Sequence, residues 1–412
     1  MRVLGLRLVN FRSYCDTAVE FGPGTTVVVG ANATGKTNLL EGAFFGLRGS
    51  SPRTRSDDKL ITWGEPFTRV TVALEDDQGE RHTCEVAYAP RQGRRVRYDG
   101  VEVAGLDELR RRSMVFIFVP ESLLLVKGSP ARRRAHLDAF AATIDPAYAA
   151  ALAQLTQALR QRNAQLVAVR EGADPAALAP WDAQFAAAAA ALDRRRRAVV
   201  TRLAGRFAAA AETLSPGGGR YTIELVAQTD AVLGADGVLD EGALLEELRR
   251  RRPGEVQRGL SLFGPQRDDL RFLELPGDEG AGATLAGPGC TVDGTAAVPA
   301  GGRDLRLYGS QGEQRAAVLA LLLAERGVAA ESGAGTGTLF LDDVMSELDD
   351  ARRRRLVDLL ASGGQAILTT TNRHYFTEDE LGRALVVELP LAGERLGTPP
   401  AAASPGPPED EA

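Results

Sequence analysis

Lysine is nearly absent from this 412-residue chain: Lys36, Lys59 and Lys127 are the only three among 49 basic residues. Arginine holds almost every position where either cation would serve, so a lysine that persists marks a place a bulky guanidinium cannot fill. Cysteine is equally scarce. Cys15, Cys84 and Cys290 are odd in number, widely spaced and free of any C-x-x-C pair, which argues against zinc and a disulfide framework and for free thiols in a reducing compartment. Three histidines leave little for metal or base chemistry. No apolar run approaches the roughly 18 residues that cross a bilayer, and the stretch from Met1 to Leu8 alternates like a strand rather than like a secretory leader. The expected location is the cytoplasm, with no membrane partner. The interval from Ala131 to Arg252 has no sustained heptads, which excludes a long coiled coil there.

What is present begins with Gly30-Ala31-Asn32-Ala33-Thr34-Gly35-Lys36-Thr37. This G-x-x-x-x-G-K-T loop lies between an apolar run, Thr26 to Val29, and a helical stretch, Asn38 to Leu47. Backbone N–H groups of such a loop and the helix start behind it cradle phosphate oxygens, the lysine reaches the β- and γ-phosphates, and the hydroxyl ligates Mg²⁺. Residues 30–38 are therefore the expected nucleotide site, with Lys36 catalytic and Thr37 on the metal. ATP and Mg²⁺ are the expected cofactors.

Two further segments complete this chemistry. Thr338-Leu339-Phe340-Leu341 is an apolar strand that ends in Asp342 and Asp343. Asp342 is placed to reach Mg²⁺ and Asp343 to polarise the attacking water, which favours hydrolysis over transfer to a bound substrate. Upstream, Ser310, Gln311, Gly312 and Glu313 open a helix. A serine there is an ordinary N-cap when read alone. Its hydroxyl and the helix start also form an anion site, which makes sense if it closes over the γ-phosphate of an ATP held by another subunit.

Composition sets the frame for the rest. With 44% apolar and 25% charged residues the chain is globular, and its net charge of −6 does not announce a nucleic-acid binder. Charge is patchy, and Arg94, Arg95, Arg97, Arg132, Arg133 and Arg134 are the candidates for DNA phosphate contacts. Short strand-like runs fill the first hundred residues, at Arg2 to Val9, Arg69 to Leu74, Thr83 to Tyr88 and Arg95 to Tyr98. Alanine-, leucine- and arginine-rich helical spacing follows from about Ala131 to Glu212, and strands return at Tyr221 to Val226 and Leu270 to Leu275. The expected fold is α/β, a P-loop head made from both ends of the chain with a helical lobe inserted. Its parts are 1–128 (head), 129–257 (lobe), 258–397 (head) and a disordered tail, 398–412. The Gly/Ala-rich stretch from Pro276 to Gly302 reads as a mobile surface insertion.

The order of P-loop, Ser310, acidic strand, Ser346-Glu347-Leu348-Asp349 and the polar strand end Thr369-Thr370-Thr371-Asn372 resembles the heads of ABC ATPases. That resemblance places Asp349 and Thr370 at the nucleotide, with Thr370 where many members carry a switch histidine. Leu8 to Tyr14, Val119-Pro120-Glu121, Leu125 to Pro130, Arg133-Arg134 and Gly264 to Leu270 narrow it. Together they look like the RecF family of bacterial DNA replication and repair proteins, in the SMC-like superfamily, across about residues 1 to 375. Gln266 stands where that family usually has histidine. The resemblance implies an ATP-dependent homodimer that binds duplex DNA at gaps, hydrolyses ATP weakly under DNA stimulation, and works with RecR and RecO to load RecA, with links to the SOS response. A chromosome-structural SMC-like head and a transporter-type ATPase subunit are the alternatives.

Overall fold

The computed structural model describes residues 1–103, 106, 109–110, 113–217, 219–234, 237–276 and 302–390. The expected insertion is described only at its ends, Pro276 and Gly302, and the expected tail lies outside the described residues, as does Cys290. Fourteen strands are described, β1 (Arg2–Phe11), β2 (Tyr14–Glu20), β3 (Thr25–Val29), β4 (Thr68–Glu75), β5 (Arg81–Ala89), β6 (Gly93–Tyr98), β7 (Val101–Glu102) and β8 (Val115–Phe118) in the first part of the chain. The others are β9 (Arg220–Val226), β10 (Asp269–Leu275), β11 (Arg303–Asp304), β12 (Thr338–Leu341), β13 (Ala366–Thr370) and β14 (Leu385–Glu388). The chain packs as two compact units. One holds residues 1–119, 338–346 and 360 onward, the other residues 120–337 and 347–359. Residues 258–337, read from sequence as part of the head, thus share the second unit with the helical lobe.

In the first unit a parallel sheet in the order β14-β3-β13-β12-β8 carries the chemistry. Its strands are nearly continuous apolar runs, such as Leu339-Phe340-Leu341 and Ala366-Ile367-Leu368, every one of them buried, as a sheet covered on both faces requires. The second sheet, β2-β1-β4-β5-β6-β7, is antiparallel. Its strand β4 alternates, burying Val70, Val72 and Leu74 on one face. The helix Lys36–Arg48 lies against this sheet with glycine at its contacts, because a Cβ on Gly42 would fall 2.5 Å from Leu8 and one on Gly46 would fall 2.5 Å from Val72. Larger residues there would push the P-loop helix off its seat. Sequence reading places no strand at Val115–Phe118 or Leu385–Glu388, yet both are edges of the parallel sheet.

The second unit is built on the helix Ala179–Leu214, which packs against Pro146–Arg170, Gln311–Glu331 and β9. Its alanines are the contact surface: Ala186, Ala188, Ala189 and Ala190 are all buried. A 3-stranded antiparallel sheet, β11-β10-β9, and the helix Glu241–Arg258 complete it. Arg162 and Arg196 are the most deeply buried arginines of this unit among the described residues, and their donors are used. Arg162 donates to Asp182 (2.8 Å), Glu255 (2.6 Å) and Ser261 (2.6 Å). Arg196 donates to Asp268 (2.8 Å), Asp138 (2.8 Å), Tyr148 and the Pro265 carbonyl. Breaking either set would leave a buried charge uncompensated.

Asp268 gives this core a pH dependence. Its Oδ2 accepts from Arg196 while its buried Oδ1 has no partner among the described residues, and burial, opposed by the Arg196 charge, pushes the carboxyl up to about 7 from its ordinary 3.8. Between those values the folded chain holds a proton that the unfolded chain has lost. The stability this group contributes therefore falls as pH rises from about 4 to about 7, and is level above. Asparagine at 268 removes the titration. Thermal unfolding across pH 4 to 8 should show the parent losing ground to Asp268→Asn through that window. A difference that does not change with pH would sink the assignment.

Candidate functional site

The P-loop leaves the carboxyl end of β3 and turns into the helix Lys36–Arg48, where the strands of an open α/β sheet place their ligands. Gly35 has φ 95, and a Cβ there would meet the Tyr14 hydroxyl at 2.7 Å, so glycine is required twice over. Tyr14 Oη in turn donates to the Gly35 carbonyl (3.0 Å). Ala31, Asn32 and Ala33 are exposed, Ala33 with φ 65. Thr34 Oγ1 donates to the Ala31 carbonyl (2.8 Å) and Asn38 Nδ2 to Ser13 Oγ (3.1 Å). The start of the loop is tied to the sheet, the Gly30 amide donating to the carbonyl of Thr370 (3.2 Å).

Lys36 is buried, and its ammonium spans the loop, donating to the carbonyls of Gly30 and Ala31 (both 2.8 Å). Burial pushes its pKa down, opposed by the charges of Asp343 and Asp342. Thr37 Oγ1 donates to Asp342 Oδ2 (2.7 Å), a contact between residues 305 apart in sequence. Asp342 is also buried. Burial raises its pKa, against hydrogen bonds from Thr37 and Thr369, with the charge of Asp343 raising it further.

Thr369 joins the two acids. Its Oγ1 donates to Asp342 Oδ1 (2.8 Å) and accepts from the Asp343 amide (2.9 Å). Asp343 has φ 46, its carbonyl accepts from Ser346 Oγ (2.8 Å), and its Oδ1 is buried without a partner among the described residues. Thr370, the residue expected at the switch position, follows Thr369, and its hydroxyl is turned to the backbone of Asn372, donating to its carbonyl (3.2 Å) and accepting from its amide (3.2 Å). Successive residues of a strand face opposite ways, so only one of the two threonines can reach the acid pair.

A second group was not foreseen. Glu41, on the P-loop helix, is 0% exposed and is held by Arg12 (Nε 3.0 Å, Nη2 2.8 Å), Ser51 (2.6 Å) and Arg53 (3.1 Å). Arg53 also donates to Asn38 Oδ1 (3.3 Å), and its charge acts on Asp342. Arg12 sits at φ 54 and gives another bond to the Lys59 carbonyl. The segment Leu8 to Tyr14 thus braces the P-loop helix from outside, through Arg12 to Glu41, Ser13 to Asn38 and Tyr14 to Gly35.

In the second unit Ser310 caps the helix Gln311–Glu331. Its Oγ accepts from the Glu313 amide (3.2 Å) while Glu313 accepts from the Ser310 amide (2.6 Å), a complete capping box. Gln311 is exposed and Gly312 half-exposed. Asp349 is exposed, and its Oδ1 accepts from the Arg352 amide (2.8 Å).

The arginine candidates separate. Arg133 is 3% exposed, forked onto Asp269 (2.7 and 2.8 Å) and bonded to the carbonyls of Val126 and Gly128. Its donors are consumed internally, so it is withdrawn as a phosphate contact. Arg134 is half-buried and gives a bond to the Asp268 carbonyl. Arg94 is paired with Asp57 and lies over the Phe45 ring. Arg97 faces Glu85 (3.7 Å) but is exposed, and Arg95 and Arg132 are exposed without an ion-pair partner among the described residues.

The family model described as RecF/RecN/SMC N terminal domain matches residues 2–386. The DNA replication and repair protein RecF of Heliobacterium modesticaldum is 34% identical over 94% of this chain and 97% of its own. A solved structure of the recombination mediator protein RecF-ATP in the RecFOR pathway has a TM-score of 0.75 at 25% identity, covering 91% of this chain and 93% of that one. An Smc head bound to the C-winged helix domain of ScpA, at 16% identity, 90% coverage of each chain and a TM-score of 0.51, shares the fold alone.

Proposed function

The chain belongs to the RecF family, an ABC-type ATPase family of DNA replication and repair proteins, and from that premise we propose that it is an ATP-driven dimer that binds duplex DNA at gaps. The observation that carries this reading is the Thr37–Asp342 hydrogen bond, which unites the phosphate loop with the acidic strand. ATP lies along residues 30–38, where Lys36 exchanges the Gly30 and Ala31 carbonyls for phosphate oxygens. Thr37 and Asp342 offer the hard oxygen donors that Mg²⁺ takes, and the unpartnered Asp343 Oδ1 fits a water beside it. Mg²⁺ there would offset the charge gathering on the phosphates. Asp343 orients the attacking water, and Thr369 holds both acids in place. Among the described residues no group of three or more His, Cys, Asp or Glu forms a metal cage, which suits an ion completed by phosphate and water.

The second half of each site is Ser310 with Gln311, Gly312 and Glu313 from another copy, and Asp349 lies at the same junction. ATP binding then holds two copies together, and hydrolysis, stimulated by DNA, releases them. Because its relatives include a mediator of the RecFOR pathway, we place this protein with RecR and RecO in loading RecA, in the cytoplasm. Arg95, Arg97 and Arg132 are the proposed phosphate contacts.

Sizing the protein with and without ATP on duplex, gapped and single-stranded DNA tests this. The mass should double with ATP, and binding to gapped duplex should be indifferent to sequence. Log affinity should fall against log salt with a slope of about −0.9 per phosphate neutralised. A constant mass and a flat salt dependence would reject the proposal.

A further inference from the structure

We propose that Leu307 and Tyr308 are the apolar anchor by which a second copy of this chain seats on the Ser310 loop, an inference that rests on the shared-ATP reading above. Each is 67% exposed. The other large apolar side chains that the described residues expose are Trp63, Val101, Leu124, Leu260 and Leu385, each isolated in sequence. Only Leu307 and Tyr308 stand side by side, and they end two residues before Ser310. Single exposed apolar residues need no explanation, whereas a paired leucine and tyrosine beside a docking loop match the composition of an interface centre.

Their backbone is tied down by hydrogen bonds. Leu305, at the start of the same short helix, is buried, and its carbonyl accepts from Gln314 Nε2 (2.7 Å) and the Gly309 amide (3.1 Å). Asp304 accepts from the Arg306 amide (2.8 Å), and Arg303 donates to the Tyr308 carbonyl (3.3 Å). Arg303 also pairs with Glu313 (2.8 Å), the residue that closes the capping box on Ser310. One hydrogen-bonded frame therefore fixes the apolar pair and the serine together. In the shared-ATP arrangement the partner's P-loop face covers Ser310, and residue 308 lies two positions from it in the same frame. Holding the backbone beneath both residues in place before contact removes part of the ordering cost of association.

The test uses the full chain carrying Asp343→Asn, so that ATP is retained. Adding Leu307→Ser and Tyr308→Ser should weaken ATP-dependent self-association at least about tenfold, with ATP binding to the monomer and thermal stability unchanged. Val101→Ser, which removes an equally exposed side chain from an edge strand, should leave association alone. Oxidative footprinting of the unsubstituted surface gives a second readout, in which Leu307 and Tyr308 become protected when ATP is added. If the parent pairs with ATP and the double variant pairs equally well, with Tyr308 still reactive, the inference is overturned while the shared-ATP reading stands. Protection of Tyr308 by DNA alone would also overturn it, assigning the patch to nucleic acid. If the parent never pairs with ATP, the underlying reading fails and takes this one with it.

Discussion

Asp343→Asn protein should bind ATP and pair normally, yet hydrolyse ATP at least about 100-fold more slowly, the scale of a lost general base. The substitution is chosen for the backbone. Asp343 sits at φ 46, a left-handed conformation that aspartate and asparagine tolerate far better than other side chains, so alanine would confound lost charge with strain. Asparagine preserves the amide bond to Thr369 and the carbonyl bond from Ser346. What it loses is the negative charge on a carboxylate whose Oδ1 no group among the described residues satisfies. Lys36→Met is the contrasting case. It removes a buried cation that the chain keeps despite its bias toward arginine, and should weaken ATP binding by about 10- to 100-fold, the worth of hydrogen bonds to a charged group, with pairing lost as a consequence. Nucleotide titration, sizing and phosphate release separate the two. Parent-rate hydrolysis by Asp343→Asn would show that another group orients the water.

The contrast between what was legible in the sequence and what was not follows the range of the interactions. The P-loop is legible because each residue answers a local demand: Gly35 for its φ, Lys36 for charge, Thr37 for a hydroxyl. The acid pair is legible because a buried strand ending in two aspartates has few other uses. Glu41 was invisible, since its partners come from Arg12 on one side and from Ser51 and Arg53 on the other, two segments that only the fold brings to it. The Thr369 contact was not legible either, because which face of β13 meets Asp342 is set by the fold and two adjacent threonines carry no periodic signal. Arg132, Arg133 and Arg134 read as one basic patch. Consecutive helical residues point about 100° apart, however, and the middle one is turned inward onto Asp269. Val115–Phe118 was missed because four apolar residues do not distinguish a strand from a buried helical turn.

Those limits make the intersubunit geometry the point where experiment weighs most, and two inactive proteins should restore activity to each other. Lys36→Met and Ser310→Arg are each expected to be dead as homodimers, since every composite site then carries one defect. In a mixed dimer both defects fall in the same site, and the other site keeps an intact Lys36 and an intact Ser310. Neither variant has a sound site with which to pair with itself, so the dimers that ATP holds are the mixed ones, each with one good site of two, and up to about half of parental ATPase should return. If Ser310 acted on the nucleotide of its own subunit, every subunit would keep its own defect and mixing would restore nothing. Hydrolysis that requires both sites at once would also give no recovery. Crosslinked mixed dimers resolve this, because ATP binding alone should then report one competent site per dimer. Absence of that site, with mixed dimers shown to form, would refute the shared-ATP arrangement.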